Sequence, residues 1–175
     1  KGGGRPGDIL MLSKPVGTGL SLAACTPDEQ AAAIAGMRTV NRVAAETLVA
    51  AGSDVHATTD VTGYGLAGHT WEVAERSGVV AVIDTSGIVA YPGVLAVAAA
   101  GARTGGDPRN REYLVGHVES TAASGPEAVC YDPQTSGGLL AAVTEDLASD
   151  LAAAGWWRVG ELVTPTGSGA GVVLA

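Results

Sequence analysis

The order of helices and strands along this chain agrees with an α+β domain, and three observations set out that order. The run Ile9-Leu10-Met11-Leu12 is apolar at every position, which suits a strand buried on both faces. Thr26-Pro27-Asp28-Glu29 joins a capping box to a proline at the first helical position, so a long helix should follow. A third stretch reads as helix and then strand: about Thr62 to Ser77, a stop at Gly78, then Val79-Val80-Ala81-Val82-Ile83.

The elements follow in order. Lys1-Gly2-Gly3-Gly4-Arg5-Pro6-Gly7 reads as a flexible leader, residues 1–7, ahead of one domain over 8–175. The first strand is expected over Asp8 to Lys14, ended by Pro15. The helix after the capping box is expected to continue to a stop at Gly52, with Ile34, Met37, Val40, Ala44 and Leu48 as its inward stripe. Tyr91 to Gly101 reads as a short helix, and Arg103 to Arg111 as an irregular loop carrying three arginines. Leu139 to Val143 is expected as a strand and Glu145 to Ala154 as a helix before Gly155. Val159 to Val163 and Gly171 to Leu174 are expected to form a terminal hairpin.

Composition narrows the classes of function. An apolar fraction of 46% over 175 residues is enough for the core of one domain. Eighteen acidic against ten basic residues give a formal charge of −8, which argues against a nucleic-acid footprint of clustered Lys and Arg. Cys25 and Cys130 lack the spacing of a disulfide scaffold or a Cys-x-x-Cys metal site, so both read as buried thiols in a reducing cytoplasm. No apolar run is long enough to cross a bilayer and no signal peptide opens the chain, so a soluble protein is expected. The start at Lys1 reads as that of a fragment.

Two segments carry candidate chemistry. In Thr59-Asp60-Val61-Thr62-Gly63-Tyr64-Gly65-Leu66-Ala67-Gly68-His69, a lone carboxylate stands before a glycine-rich helix entry. Asp60 either caps that helix or offers hard oxygen to a magnesium ion holding phosphate. The Gly63, Gly65, Gly68 series is a weak match to a dinucleotide fingerprint and suits close backbone approach better. Tyr64 and His69 read as packing or hydrogen-bonding residues. The second segment, Asp132-Pro133-Gln134-Thr135-Ser136-Gly137-Gly138, reads as a turn able to hold an anion or another loop. Lys14-Pro15-Val16-Gly17-Thr18-Gly19 reads as a strand-ending turn, and Arg103, Arg109 and Arg111 as solvated or structural.

Taken in order, Leu12 to Gly19, Met37 with Asn41, the Asp60 block, Gly105-Gly106 with Arg109-Asn110, and Asp132 to Leu140 resemble one family: selenophosphate synthetase, of the aminoimidazole-ribonucleotide-synthetase-like superfamily. Tyr64 stands where Phe is expected and Ser13 where Thr is usual. The resemblance covers the family's C-terminal half, and implies an α+β fold with helices packed on a mixed sheet. It further implies an ATP-dependent conversion of selenide to selenophosphate, with AMP and orthophosphate as the other products and Mg2+ on the nucleotide phosphates. Asp60 is the one residue that the motif carries over as a metal ligand. The reactive cysteine or selenocysteine, a lysine, further metal-binding aspartates and most of the homodimer contact belong to the family's N-terminal half. The resemblance therefore implies no catalytic residue in this chain and no activity by it alone. Aminoimidazole ribonucleotide synthetase and thiamine-monophosphate kinase share the architecture, and a non-catalytic binding or assembly module is the alternative from another class.

Overall fold

The computed structural model describes residues 1–167 and 169–175. Among these, the elements are β1 (Ile9–Leu12), α1 (Thr18–Ala24), α2 (Pro27–Arg38), α3 (Arg42–Ala51), β2 (Val55–Asp60), α4 (Gly65–Ser77), β3 (Val80–Ile83) and α5 (Val94–Ala99). Then come α6 (Asp107–Tyr113), β4 (Val118–Ser120), α7 (Ser124–Tyr131), β5 (Leu139–Val143), α8 (Glu145–Ala153), β6 (Trp157–Val163) and β7 (Gly171–Leu174). One sheet takes all seven strands in the order β2-β5-β1-β6-β3-β7-β4. Pairings are antiparallel from β2 through β3 and parallel where β7 meets β3 and β4, so the sheet is mixed and the fold α+β.

The unbroken apolar run of β1 has a direct cause. Leu10 and Leu12 enter the larger core with Leu66, Ala67 and Trp71 of α4 and Val129 of α7. Ile9 and Met11 face the other way, into a smaller core with Leu48 of α3, Leu151 of α8 and Trp156. Successive side chains point to opposite faces of a sheet, so only a strand covered on both faces needs four apolar residues in a row.

Four expectations need correction. The long helix is two, because the chain turns extended at Thr39, whose carbonyl accepts the Lys14 ammonium, while Asn41 donates its side-chain amide to the Gly137 carbonyl. The capping box at its start is formed in both directions, so local chemistry sets where α2 begins and tertiary hydrogen bonds set where it ends. Its inward stripe is not inward: Leu48 is buried, but Ile34 and Val40 are 41% and 74% exposed. The stretch 103–111 is not all loop, since Pro108 sits in the first turn of α6, where a missing N–H costs nothing. Finally, β6 and β7 form no hairpin, because β3 lies between them and pairs with both.

The segment 1–7 lies against the domain. The Gly4 N–H donates to Ser77 Oγ at 3.0 Å and the Gly7 N–H to the Leu162 carbonyl at 2.7 Å. A side chain on Gly4 would meet Leu162 Cδ1 at 2.6 Å, so the glycine permits the approach. Among the described residues no helix is long and apolar enough to cross a membrane.

Candidate functional site

The segments singled out in the sequence converge on one end of the sheet. β2 is an edge strand and Asp60 its last residue, paired in register with Leu139 of β5. The segment 132–138 runs directly into β5 and forms the floor beneath it.

That floor is held by buried polar groups. Gln134 Oε1 accepts the backbone N–H groups of Gly17 and Thr18 at 2.9 and 3.1 Å, and its amide donates to the Asp132 carbonyl. Asp132 Oδ2 accepts from the Leu20 N–H at 3.1 Å. Lys14 donates to the Thr39 and Ser136 carbonyls, and Gln134 N–H to the Thr62 carbonyl. Asn110 on α6 donates to the carbonyls of Gly63 and Tyr131. Of the two uses open to the 132–138 turn, the structure realises the second: it holds other loops. Burial shifts the ionisable members as expected for groups moved out of water. It lowers the Lys14 ammonium and lifts the Asp132 carboxyl to about 6.

Glycines make the crowding possible. A Cβ on Gly137 would lie 2.2 Å from the Val61 carbonyl oxygen, and one on Gly138 2.6 Å from the Lys14 nitrogen. Gly65 opens α4 with φ +73°, and its Cβ would sit 2.7 Å from the Cys130 carbonyl oxygen. Of the glycine series only Gly65 serves backbone approach: Gly63 has nothing within 4 Å of an added Cβ, and Gly68 faces the Tyr64 side chain.

Asp60 differs from these neighbours. It is exposed, and among the described residues its carboxylate takes part in no hydrogen bond or ion pair; only its backbone carbonyl is engaged, by the Thr59 hydroxyl. Helix α4 is entered through Tyr64 without a side-chain cap, so Asp60 does not cap it. A free carboxylate fits a hard cation, which prefers oxygen ligands. Among the described residues, however, no three His, Cys, Asp or Glu side chains come together to hold a metal ion. Asp60 alone therefore makes no complete metal site among these residues.

The other candidates fall into structural roles. Arg111 pairs with Asp107 and Glu127 and lies over the Tyr131 ring at 4.1 Å. Burial opposes its charge, but the two carboxylates outweigh burial and raise its proton affinity. Arg103 donates to the carbonyls of Ala98, Ala102 and Ser124. Both cysteines are buried and free, and burial pushes Cys130 up to about 12, far from a thiolate. His69 and Tyr64 do pack as read, edge to face at 6.0 Å. Sequence reasoning missed the roles of Lys14, Asp132 and Gln134, whose partners lie across the fold; the one local hint was three polar side chains within turn segments.

With this geometry, the likenesses to other proteins can be weighed. A family model described as AIR synthase related protein, C-terminal domain, matches residues 5–173. The chain is 38% identical over 154 residues to the selenide, water dikinase of Caldanaerobacter subterraneus subsp. tengcongensis, covering 84% of this chain and 44% of that protein. It is 36% identical over 183 residues to that of Nitratidesulfovibrio vulgaris, covering 97% and 52%. The chain thus spans about half the length of the curated relatives it matches. Among solved structures, hydrogenase maturation protein HypE superposes with a TM-score of 0.63 at 21% identity, over 98% of this chain and 50% of that one. Thiamine-monophosphate kinase from Stenotrophomonas maltophilia K279a gives 0.63 at 18% identity, over 98% and 51%. At such identities these structures speak for the fold alone. The matched model covers nearly every residue from Arg5 to Val173, and the chain belongs to the AIR synthase related protein C-terminal domain family.

Proposed function

We propose that this chain is the C-terminal domain of an ATP-dependent selenophosphate synthetase, which turns selenide, ATP and water into selenophosphate, AMP and orthophosphate. What supports this is the similarity to selenide, water dikinases along most of the chain. The observation that carries the site is Asp60, the exposed and unpaired carboxylate beside a floor built from the same motif residues.

In this reading Asp60 is one ligand of Mg2+, the remaining ligands and the reactive cysteine or selenocysteine coming from the N-terminal half. The ion when bound would neutralise charge on the nucleotide phosphates. The contribution of this chain is positioning. Gln134, Asp132 and Lys14 fix the loops around the end of β2, so Asp60 reaches its place with little reorganisation. The complete enzyme is a cytoplasmic homodimer acting on small molecules, joined chiefly through the other half, and the domain alone is inactive.

The test is product analysis. The full-length protein incubated with selenide, ATP and Mg2+ is expected to form AMP and orthophosphate in step with selenide, and the 175-residue domain alone to form neither. Formation of ADP that depends on added thiamine monophosphate and not on selenide would favour a kinase of the thiamine-monophosphate type instead.

A further inference from the structure

The helices nearest the Asp60 end of the sheet carry apolar side chains that this domain leaves in water. In α2 the run Ala31-Ala32-Ala33-Ile34-Ala35-Gly36-Met37 is apolar over about two turns, so no face of the helix is polar along it. Ala33 alone in α2 is buried. A helix that is apolar all round belongs in an interior. Beyond the end of α2, Val40 and Val43 also stand in water. A second set follows Asp60 in the chain: Tyr64 and Tyr113 are both more than 40% exposed, and their rings lie 4.9 Å apart.

Hydrogen bonds place both sets around Asp60. On the arm, the Thr39 carbonyl accepts the Lys14 ammonium, and Asn41 donates to the Gly137 carbonyl at 2.8 Å. The neighbouring Gly138 carbonyl accepts the Val61 N–H at 2.9 Å, one residue from Asp60. On the other side Asn110, in the helix that ends at Tyr113, donates at 2.9 Å to the Gly63 carbonyl, directly before Tyr64. Apolar side chains scattered singly over a surface are ordinary, but a group gathered at one place marks a contact surface. Tyrosine in particular is enriched where proteins meet.

What covers this surface follows from the site that it flanks. Among the described residues no three His, Cys, Asp or Glu side chains come together to hold a metal ion. The reading above takes the remaining ligands from the N-terminal half, and the chain spans about half the length of the curated relatives it matches. A body that carries ligands to Asp60 has to stand over the end of β2, and so against the groups on either side. A second copy of this domain is a poorer occupant, because each copy carries a formal charge of −8 and the two repel.

We propose that α2, the start of α3 and the Tyr64–Tyr113 pair form one docking surface for the N-terminal half, seated around Asp60. This rests on the reading of Asp60 given above. The domain keeps its own fold without that cover, since exposed apolar side chains cost little.

The test is the reactivity of introduced cysteines in the full-length protein, mapped peptide by peptide after a maleimide pulse, with a thermal melt of each variant. Val43→Cys and Tyr113→Cys probe the two sides, and Val40→Cys and Tyr64→Cys serve where the first variants fold poorly. Ser149→Cys, at an exposed residue of α8, is the reference. Both probes are expected to react at least about tenfold more slowly than the reference, as covered sites react through rare openings, and at rates independent of protein concentration. Reaction as fast as the reference at either probe overturns the docking surface. Protection that vanishes on dilution assigns the surface to a second copy and overturns the N-terminal half as its occupant. Wild-type protein is assayed in parallel for selenide-dependent AMP formation: its absence beside protected probes overturns the reading above and supports the surface, and its presence beside fast probes does the reverse.

Discussion

The floor beneath Asp60 and the arm formed by α2 and α3 use residues in opposite ways. In the floor, polar side chains are buried: Lys14, Asp132 and Gln134 are each less than a tenth exposed, and every one holds backbone groups of a distant segment. In the arm, apolar side chains stand in water, with Val40, Val43 and Val49 all more than 70% exposed. Burial of a polar group is costly unless it is hydrogen-bonded, whereas an exposed valine costs little. The floor is therefore where single changes should matter, and the arm where they should not.

The largest effect is expected at Gly65. Its φ of +73° is strained for any side chain, and a Cβ would press on the Cys130 and Asp132 carbonyl oxygens, both backbone. Gly65→Ala should cost about 3 kcal/mol or more in denaturant unfolding, since neither the conformation nor the space is available.

Asp132 comes next and gives the contrast a pH signature. Its carboxyl ionises at about 6 in the folded chain against 3.8 for an ordinary aspartate, so the folded state binds this proton more tightly than the unfolded one. Unfolding free energy falls with pH wherever the folded state holds more protons. The contribution is thus full below 3.8 and lost as pH rises through about 6, on the order of 3 kcal/mol at about 1.4 kcal/mol per tenfold change in proton affinity. Glu29, Glu72 and Asp84, whose carboxyls are lowered, act in the opposite sense at the acid end, so the measurement is a difference. Wild type minus Asp132→Asn should decline between about pH 4 and 6; a flat difference would show that this carboxyl is not held protonated.

Gln134→Ala should cost about 2 kcal/mol, because two buried N–H groups, those of Gly17 and Thr18, lose their acceptor. Faster amide exchange should appear at both residues. The smallest effect belongs to the arm. Val43→Ser, at a residue 75% exposed, should change the stability of the isolated domain by no more than about 0.5 kcal/mol. A loss near that of Gln134→Ala would mean that the arm is packed in solution.

What was legible in the sequence follows the same division. The apolar run of β1, the ends of β5, the capping box of α2 and the Gly78 stop of α4 are written in neighbouring residues and stand as read, although β1 ends at Leu12 rather than at Pro15. The strand Val55–Asp60 was not seen, because an edge strand of sequence VHATTD has neither an apolar run nor clean alternation. The β6–β7 hairpin was misread because nothing in either strand tells that β3 will come between them. Likewise the break between α2 and α3 depends on Lys14 and Gly137, far away along the chain. At the site, Asp60 could be singled out from its motif, and its freedom from capping α4 could not. A hydrogen-bonded chain from Thr62 through His69 to Glu72 was missed although all three residues lie close in sequence, since helical spacing aligns His69 with Glu72 but says nothing of the turn that brings Thr62.

The measurement that bears most directly on the account is Asp60→Asn in the full-length protein, assayed for selenide-dependent AMP formation beside a thermal melt. Asparagine keeps the shape and removes the charge, and the Asp60 side chain neither caps α4 nor bonds to a described residue, so the melt should be unchanged. A metal-bound phosphate site losing one anionic ligand should lose on the order of a hundredfold or more in rate, as befits several kcal/mol of charge stabilisation. Wild-type AMP formation in the variant would contradict the account and leave Asp60 an unremarkable surface carboxylate.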